Sequence, residues 1–343
     1  MRWTRPVRKL RWYVQEYRWQ GFGYFAVEMA FWRLRNLRHL YRVAMWKRMA
    51  RRHPPDRLCF DVRGLQLYLN PQDAGLSAEL AMERVHEPLL TAFLEDFLRP
   101  GMTVVDVGAN LGYFTLIAAR AVGPTGRVIA LEPFPESYRL LQKNIKTNNQ
   151  RNVFPLPLAA GAQPGTAKLY FYRQANWNGL FTHTGEPLGW VNVEVRPLDQ
   201  ILANEPRVDM IRMDVEGAEL EVLEGGRKIL DTFGPVIAME VHPAFIGPVG
   251  CKQLSRLLSQ FGYSVFYAWE RWREEILWPR WVSRWYLPRS VSSSLDLDVV
   301  LSPEDWITKE SGITIIVARS KDHTVNTAKF GNSSDLVRRT CCS

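Results

Sequence analysis

Hydrophobic and polar positions sort this chain into segments of different period. Between Met102 and Tyr267, short unbroken apolar runs alternate with stretches of helical spacing. The first run, Thr103–Val107, leads into a glycine loop (Gly108, Ala109, Asn110, Leu111, Gly112) and a helix from about Tyr113. The second, Arg127–Leu131, ends in Glu132. Further runs lie at Val153–Leu158, Met210–Met213, Val236–Met239 and Ser264–Tyr267, with a seventh at either Asp298–Leu301 or Thr314–Ala318. Continuous apolar strands separated by helices predict an α/β fold, with a mostly parallel seven-stranded sheet covered on both faces. Ala167–Tyr172 and Val191–Arg196 alternate instead, which predicts an antiparallel insertion between the third and fourth strands.

Upstream, Leu58–Val62 and Leu65–Leu69 flank Arg63-Gly64 as a short hairpin. One helix is expected to carry Glu79, Glu83 and Glu87, and another to span Leu89–Leu98. Residues 24–50 also have helical spacing, with Leu34, Leu37, Tyr41 and Met45 on one face and Arg35, Arg38 and Arg42 beside it. His53-Pro54-Pro55 is a rigid break. The expected organisation is a basic helical extension over 1–55, a main domain over 56–320, and a polar, aperiodic, disordered tail over 321–343.

Charge changes the picture at the N-terminus. Residues 1–52 carry twelve arginines and two lysines against Glu16 and Glu28, a net +12, so the rest of this +9 chain is at −3. Arginine mixed with Trp12, Trp19, Trp32 and Trp46 suits an anionic membrane surface, while packing on the main domain with the arginines in water explains the same residues. The longest apolar run, Phe22–Trp32, is about half of the roughly 20 residues that a spanning helix needs. Nucleic acid is not the expected partner, because no recognised binding module accompanies the arginines. Cys59, Cys251, Cys341 and Cys342 show no metal spacing and nothing marks export, so a cytoplasmic protein is expected, peripheral on the inner membrane face if the extension binds lipid.

The glycine loop carries the candidate chemistry. A dinucleotide site needs a glycine where this chain has Asn110, because the backbone must approach a pyrophosphate there. A phosphate-free nucleoside suits the loop better, and S-adenosylmethionine (SAM) is the expected cofactor. Glu132, closing the second strand, is placed to accept hydrogen bonds from a ribose diol. Asp106 is expected near the ligand's amino group, directly or through the loop. Phe134 is a candidate floor for adenine, and core packing explains it equally well. Ligands of open parallel sheets gather beyond the strand carboxyl ends. That rim holds Asp106, Glu132, Asp214, Glu216, Glu240 and His242. His242 is the expected general base for a hydroxyl acceptor, and Asp214 an orienting carboxylate. Asp214, Glu216, Glu240 and His242 could converge on a divalent cation, but hard cations want more oxygen ligands than this spacing assures, and no metal is assigned.

The run I-R-M-D-V-E-G-A-E-L-E-V-L-E-G-G (Ile211–Gly226) resembles the signature after the fourth strand in FkbM-family methyltransferases. D-V-G-A-N-L-G-Y-F-T, L-E-P-F-P-E, His86-Glu87-Pro88 and M-E-V-H-P (Met239–Pro243) accompany it in order, so the resemblance spans about residues 80–267. It implies a Rossmann-like fold, SAM as methyl donor, and O-methylation of a saccharide, lipid-linked glycan or secondary metabolite. By matching position, Glu87, Gly108, Asn110, Gly112 and Glu132 would line the cofactor pocket, and Asp214, Glu216 and His242 would face the acceptor. One departure is Ala159-Ala160-Gly161, where many class I methyltransferases carry an acid that reads adenine. Backbone at Ala160 and the Phe134 ring would then hold the base. Two alternatives stay open, an inactive SAM-binding protein and a nucleic-acid-directed enzyme. The latter lacks the N/D-P-P-Y run of base N-methyltransferases. The five tryptophans within 269–288 could stack on sugars, sit at a bilayer interface, or pack an inserted hairpin.

Overall fold

The computed structural model describes residues 20–172, 178–181, 186–270 and 313–319. A long helix, α1 (Gln20–Arg52), precedes the hairpin β1 (Cys59–Val62) and β2 (Leu65–Tyr68), then α2 (Leu76–Glu83) and α3 (Pro88–Phe97). The alternating part follows as β3 (Thr103–Val107), α4 (Tyr113–Val122), β4 (Arg127–Leu131), α5 (Pro135–Thr147) and β5 (Val153–Leu156). Next come β6 (Ala159–Ala160), β7 (Gly165–Phe171), β8 (Gly189–Arg196), α6 (Leu198–Ile201), β9 (Met210–Met213), α7 (Glu219–Glu224) and α8 (Arg227–Phe233). The chain closes the sheet with β10 (Val236–Val241), α9 (Pro243–Gln260), β11 (Tyr263–Glu270) and β12 (Ile313–Arg319).

Seven strands form the main sheet in the order β11-β12-β10-β9-β3-β4-β5. All neighbours from β10 to β5 run parallel, and β12 is antiparallel to both β10 and β11. Its central strands are buried along their whole length, as unbroken apolar runs require when helices cover both faces. Side chains alternate between two cores: Val104, Met210 and Val236 enter one, and Val105, Ile211 and Ile237 the other. From β3 the chain winds outward to β4 and β5, then returns to place β9 on the other side of β3. That reversal opens a crevice at the carboxyl ends of β3 and β9. The insertion forms its own sheet, ordered β6-β8-β7, with β7 and β8 antiparallel.

Several expectations need correcting. Glu87 lies outside α2 and precedes α3 in a left-handed conformation (φ 42°). The seventh strand is β12, which contains Thr314–Ala318, and Asp298–Leu301 falls outside the described residues, as do 321–343 and all of 269–288 except Trp269 and Glu270. Of the apolar face read on α1, the described part turns to solvent, and packing on the main domain uses another side of the helix. Leu37 and Tyr41 are 63% and 65% exposed, whereas Trp46 is fully buried near the Phe60 ring. Arg38 and Arg42 turn inward to the Glu83 carboxylate, at 2.9 and 3.2 Å. Removal of 1–52 would therefore take a core tryptophan from the main domain.

Candidate active site

The crevice is a cleft walled by β3, the glycine loop, the end of β4, the insertion and the loop after β9. Gly108 is required twice over. Its φ of +82° is a left-handed conformation that disfavours side chains, and a Cβ there would overlap the Asp214 carbonyl oxygen. Gly112 (φ +96°) starts α4 against Leu141 and does not line the cleft. The loop does not offer its first N–H groups to a ligand, since those of Gly108 and Ala109 both donate to the Leu131 carbonyl. Asn110 N–H donates to Glu132 Oε2 at 2.7 Å, and Phe134 N–H to Glu132 Oε1 at 2.8 Å.

Those two bonds aim the Glu132 carboxylate into the cleft. Burial pushes its pKa up to about 7, and the two N–H donors only partly offset that rise. Each oxygen keeps a lone pair for an incoming donor. Phe134 itself packs against Phe171 of β7, with ring centroids 5.5 Å apart, and does not line the cleft. The apolar wall beside Glu132 is Pro133, Leu158, Ala159, Ala160 and Leu169, so Ala160 stays in the site while Phe134 supports it from behind.

Asp106 is 1% exposed and faces away from the cleft. Strand register sets it beside Arg212 on β9, a residue that the sequence reading passed over. Arg212 Nη1 donates to Asp106 Oδ1 at 3.2 Å and to the Gly108 carbonyl at 3.1 Å, and Nη2 reaches Asp214 Oδ2 at 3.4 Å. Its guanidinium lies over the Phe114 ring, and Thr115 Oγ1 donates to Asp106 Oδ2 at 2.5 Å. Asp106 thus braces the loop rather than lining the cleft, with Arg212 as the clamp. The missed signal was a cation inside a strand otherwise buried on both faces (Met-Ile-Arg-Met).

At the far end of the cleft, His86 is buried between Glu79 (Nδ1, 3.2 Å) and Glu87 (Nε2, 3.2 Å). Burial alone would lower its pKa, but the two carboxylates outweigh it and raise the value to about 9. Glu87 is 3% exposed and does not itself line the cleft, but it holds His86, which does. The cationic residues of the wall, His86 and Arg212, thus already face carboxylates. With those cations engaged and the N–H groups of Gly108, Ala109 and Asn110 used internally, a pyrophosphate would find no free counter-charge among the described residues of the wall. A carboxylate and an apolar slot fit the uncharged ribose and adenine of SAM.

Glu216, after β9, lines the cleft in a left-handed conformation (φ 50°). Asp214, Glu216 and His242 do come together. His242, at the start of α9, places Nε2 3.3 Å from Glu216 and 3.5 Å from Glu240, and Nδ1 3.1 Å from Glu219 Oε1. Burial would lower the imidazole pKa, but these carboxylates, led by Glu216 and Glu240, drive it well above the usual value. The carboxylates thus favour the ring with both nitrogens protonated, the form that has no lone pair to act as a base. The fully buried Glu219, also unforeseen, accepts the Gly217 N–H at 3.0 Å. Of the six non-glycine residues at positive φ among the described residues, Glu87, Asn110 and Glu216 belong to this site, where strain commonly concentrates.

Residues 106–265 match the methyltransferase FkbM domain. Methyltransferase 1 of Beauveria bassiana (strain ARSEF 2860) is 28% identical over 186 residues, which is 46% of this chain and 71% of that protein. Methyltransferase sdnD of Sordaria araneosa is 27% identical over 195 residues, covering 47% and 73%. The crystal structure of methyltransferase FkbM from Methylobacillus flagellatus KT has 20% identity and a TM-score of 0.34 over 65% of this chain and 52% of that one, a loose superposition. A loop that buries its own amides, a ribose-ready carboxylate and the matched domain agree: the chain is a SAM-dependent methyltransferase, and its residues 106–265 are similar to the FkbM methyltransferase domain.

Proposed function

We propose that the enzyme methylates a hydroxyl group of a saccharide, lipid-linked glycan or secondary metabolite. The observation that carries this reading is the carboxylate-rich mouth of the cleft, where Asp214 and Glu216 line the wall and His242 backs Glu216. Bound SAM supplies an electrophilic methyl group. Glu216 would accept the hydroxyl proton, and the imidazolium behind it would balance the charge of the pair. Arg212 already engages Asp214, which suits that carboxylate to orienting the acceptor rather than deprotonating it. Phe181, 43% exposed, and the stacked pair Phe245–His242 flank Gly217 beside this mouth. Such aromatic faces suit sugar rings.

The test is mass spectrometry of glycans and lipids from cells with and without the protein, followed by assay of the purified enzyme on the species that changes. We expect a methyl ether that disappears without the enzyme. Glu216→Gln should lower turnover by about 10²–10⁴-fold with SAM affinity kept. Methylation at nitrogen or carbon, or full activity of the variant, would refute the reading.

We also propose that α1 rests on an anionic membrane surface. No helix among the described residues is long and apolar enough to cross one. The outward face of α1 nevertheless combines exposed Leu37, Leu40 and Tyr41 with exposed Arg33, Lys47, Arg48, Arg51 and Arg52. The full-length protein should sediment with anionic vesicles at low salt and come off as salt rises. Leu40→Asp with Tyr41→Asp should abolish sedimentation, since neither residue is in the core. Equal sedimentation of wild type and variant would exclude this face.

A further inference from the structure

In the run Glu216-Gly217-Ala218-Glu219 the first glutamate lines the cleft, and the second is entirely buried at the start of α7. A carboxylate at 0% exposure is costly unless a cation meets it. The ion pair that Glu219 makes among the described residues is with His242, whose Nδ1 stands 3.1 Å from Oε1. The same oxygen accepts the Gly217 N–H at 3.0 Å. One atom thus ties the imidazole that faces Glu216 to the peptide that follows Glu216.

We propose that Glu219 is the positioning residue of the proton acceptor, holding Glu216 in the cleft through the Gly217 amide and through His242. The backbone route matters because Glu216 and Gly217 are consecutive left-handed residues (φ 50° and 101°). A glutamate keeps that conformation only where its surroundings impose it. Gly217 also backs closely onto α9, where a Cβ would stand 3.1 Å from the Phe245 Cβ. The side-chain route fixes the ring. Phe245 stacks on His242 with centroids 5.2 Å and planes 9° apart, which sets the plane of the imidazole. Glu219 sets its rotation within that plane, and Nε2 points to Glu216 at 3.3 Å and Glu240 at 3.5 Å.

The consequence for catalysis rests on the hydroxyl-directed reading above. The acceptor oxygen bonds to the methyl carbon, the C–S bond breaks with its electron pair passing to sulfur, and the hydroxyl proton goes to Glu216. A protonated ring behind Glu216 donates to that carboxylate and holds it. A neutral ring with its proton on Nδ1 turns a lone pair towards the carboxylate and releases it. Asp214, Glu216, Glu219 and Glu240 face the ring from the end of β9, the loop after it, α7 and β10, while Arg212 draws on Asp214. From α9 come the uncharged Phe245 ring and, near Glu219, the buried Cys251 thiol. Neutralising Glu219 therefore removes one of the carboxylates that favour the protonated ring.

The experiment compares full-length wild type and Glu219→Gln by NMR of ¹⁵N-labelled histidine, with His242→Gln identifying the His242 signals. Glutamine keeps an oxygen for the Gly217 N–H and removes only the charge. In the wild type we expect both His242 nitrogens protonated near neutral pH, with a slowly exchanging downfield proton on Nδ1. In Glu219→Gln the midpoint for loss of the ring proton should fall by about 1–2 pH units. With the acceptor identified, the alkaline limb of kcat should move down by the same amount while KM for SAM is unchanged. Were Glu219 only a tie in the turn before α7, the glutamine variant would match the wild type at every pH. Calorimetric SAM binding shows that the variant is folded, and an unshifted midpoint in that folded variant overturns the assignment. Should the variant not fold, the wild-type spectrum decides alone, and a neutral ring or a missing Nδ1 proton signal refutes it. Because the spectra need no acceptor, methylation at nitrogen or carbon leaves this arrangement standing, and spectra against it leave the hydroxyl reading standing.

Discussion

Replacing Arg212 with methionine is expected to cost about 3–5 kcal/mol of stability, because it leaves buried carboxylates without their counter-ion. Asp106 is 1% exposed, and without Arg212 its Oδ1 loses the guanidinium while Thr115 still holds Oδ2. Loss of the methylene stem is minor, since methionine refills most of that volume over Phe114. A loss of this size corresponds to a melting temperature lower by about 10 °C for a domain of this length. SAM affinity should fall with it, because the Gly108 carbonyl loses the donor that holds the loop against β9. Arg212→Lys should be intermediate: the charge remains, but one ammonium cannot span Asp106, Gly108 and Asp214 as the planar fork does. Adding Asp106→Asn to Arg212→Met should restore part of the stability, since the stranded charge is then gone. Thermal denaturation of the four proteins checks this. A methionine variant that melts like the wild type would show that the buried network is not what ties β3 to β9.

What could be read from the chain, and what could not, follows from the range of each interaction. The β3–loop–β4 unit was legible because everything that defines it is local: two buried runs, glycines at the turn and an acid at the second strand end. Glu132 was legible for the same reason, and Glu216 and His242 stood out beside strand ends. Arg212 was hidden because its meaning depends on the register that sets it opposite Asp106, a residue 106 positions earlier. The protonation of His242 was hidden too. An isolated histidine reads as a base near neutral pH, but Glu216, Glu219 and Glu240 reach it from a loop, a helix and a strand. Choosing β12 over Asp298–Leu301 likewise needed the pairing of Ile313–Val317 with β10. In α1, periodicity gave an apolar stripe but not what it meets: one tryptophan and two arginine pairs to Glu83 decide which side faces the domain.

The assignment of Glu132 to the ribose carries the second large expectation. Glu132→Ala should weaken SAM binding by about 2–4 kcal/mol, or roughly 30- to 1,000-fold in Kd, the cost of losing hydrogen bonds to a charged acceptor. It also fixes a sign for pH. In the free protein burial holds this carboxyl at about 7, and donors from a ribose diol favour the ionised form. SAM therefore binds the deprotonated protein better, and affinity should rise about tenfold per pH unit on approach to 7 and level off above it. Binding below that point should release a proton, seen calorimetrically as a heat that changes with the ionisation enthalpy of the buffer. The same shift acts on folding. A carboxyl whose folded pKa lies above its unfolded 4.5 contributes stability that is fully present below 4.5 and is lost as pH rises through about 7. The difference amounts to about 3 kcal/mol, so Glu132→Gln should gain stability relative to the wild type over that window even as it loses SAM. A Kd that stays flat from pH 5.5 to 8.5 in the wild type, with no buffer-dependent heat, would remove Glu132 from the ribose and leave it a structural tie between Asn110 and Phe134.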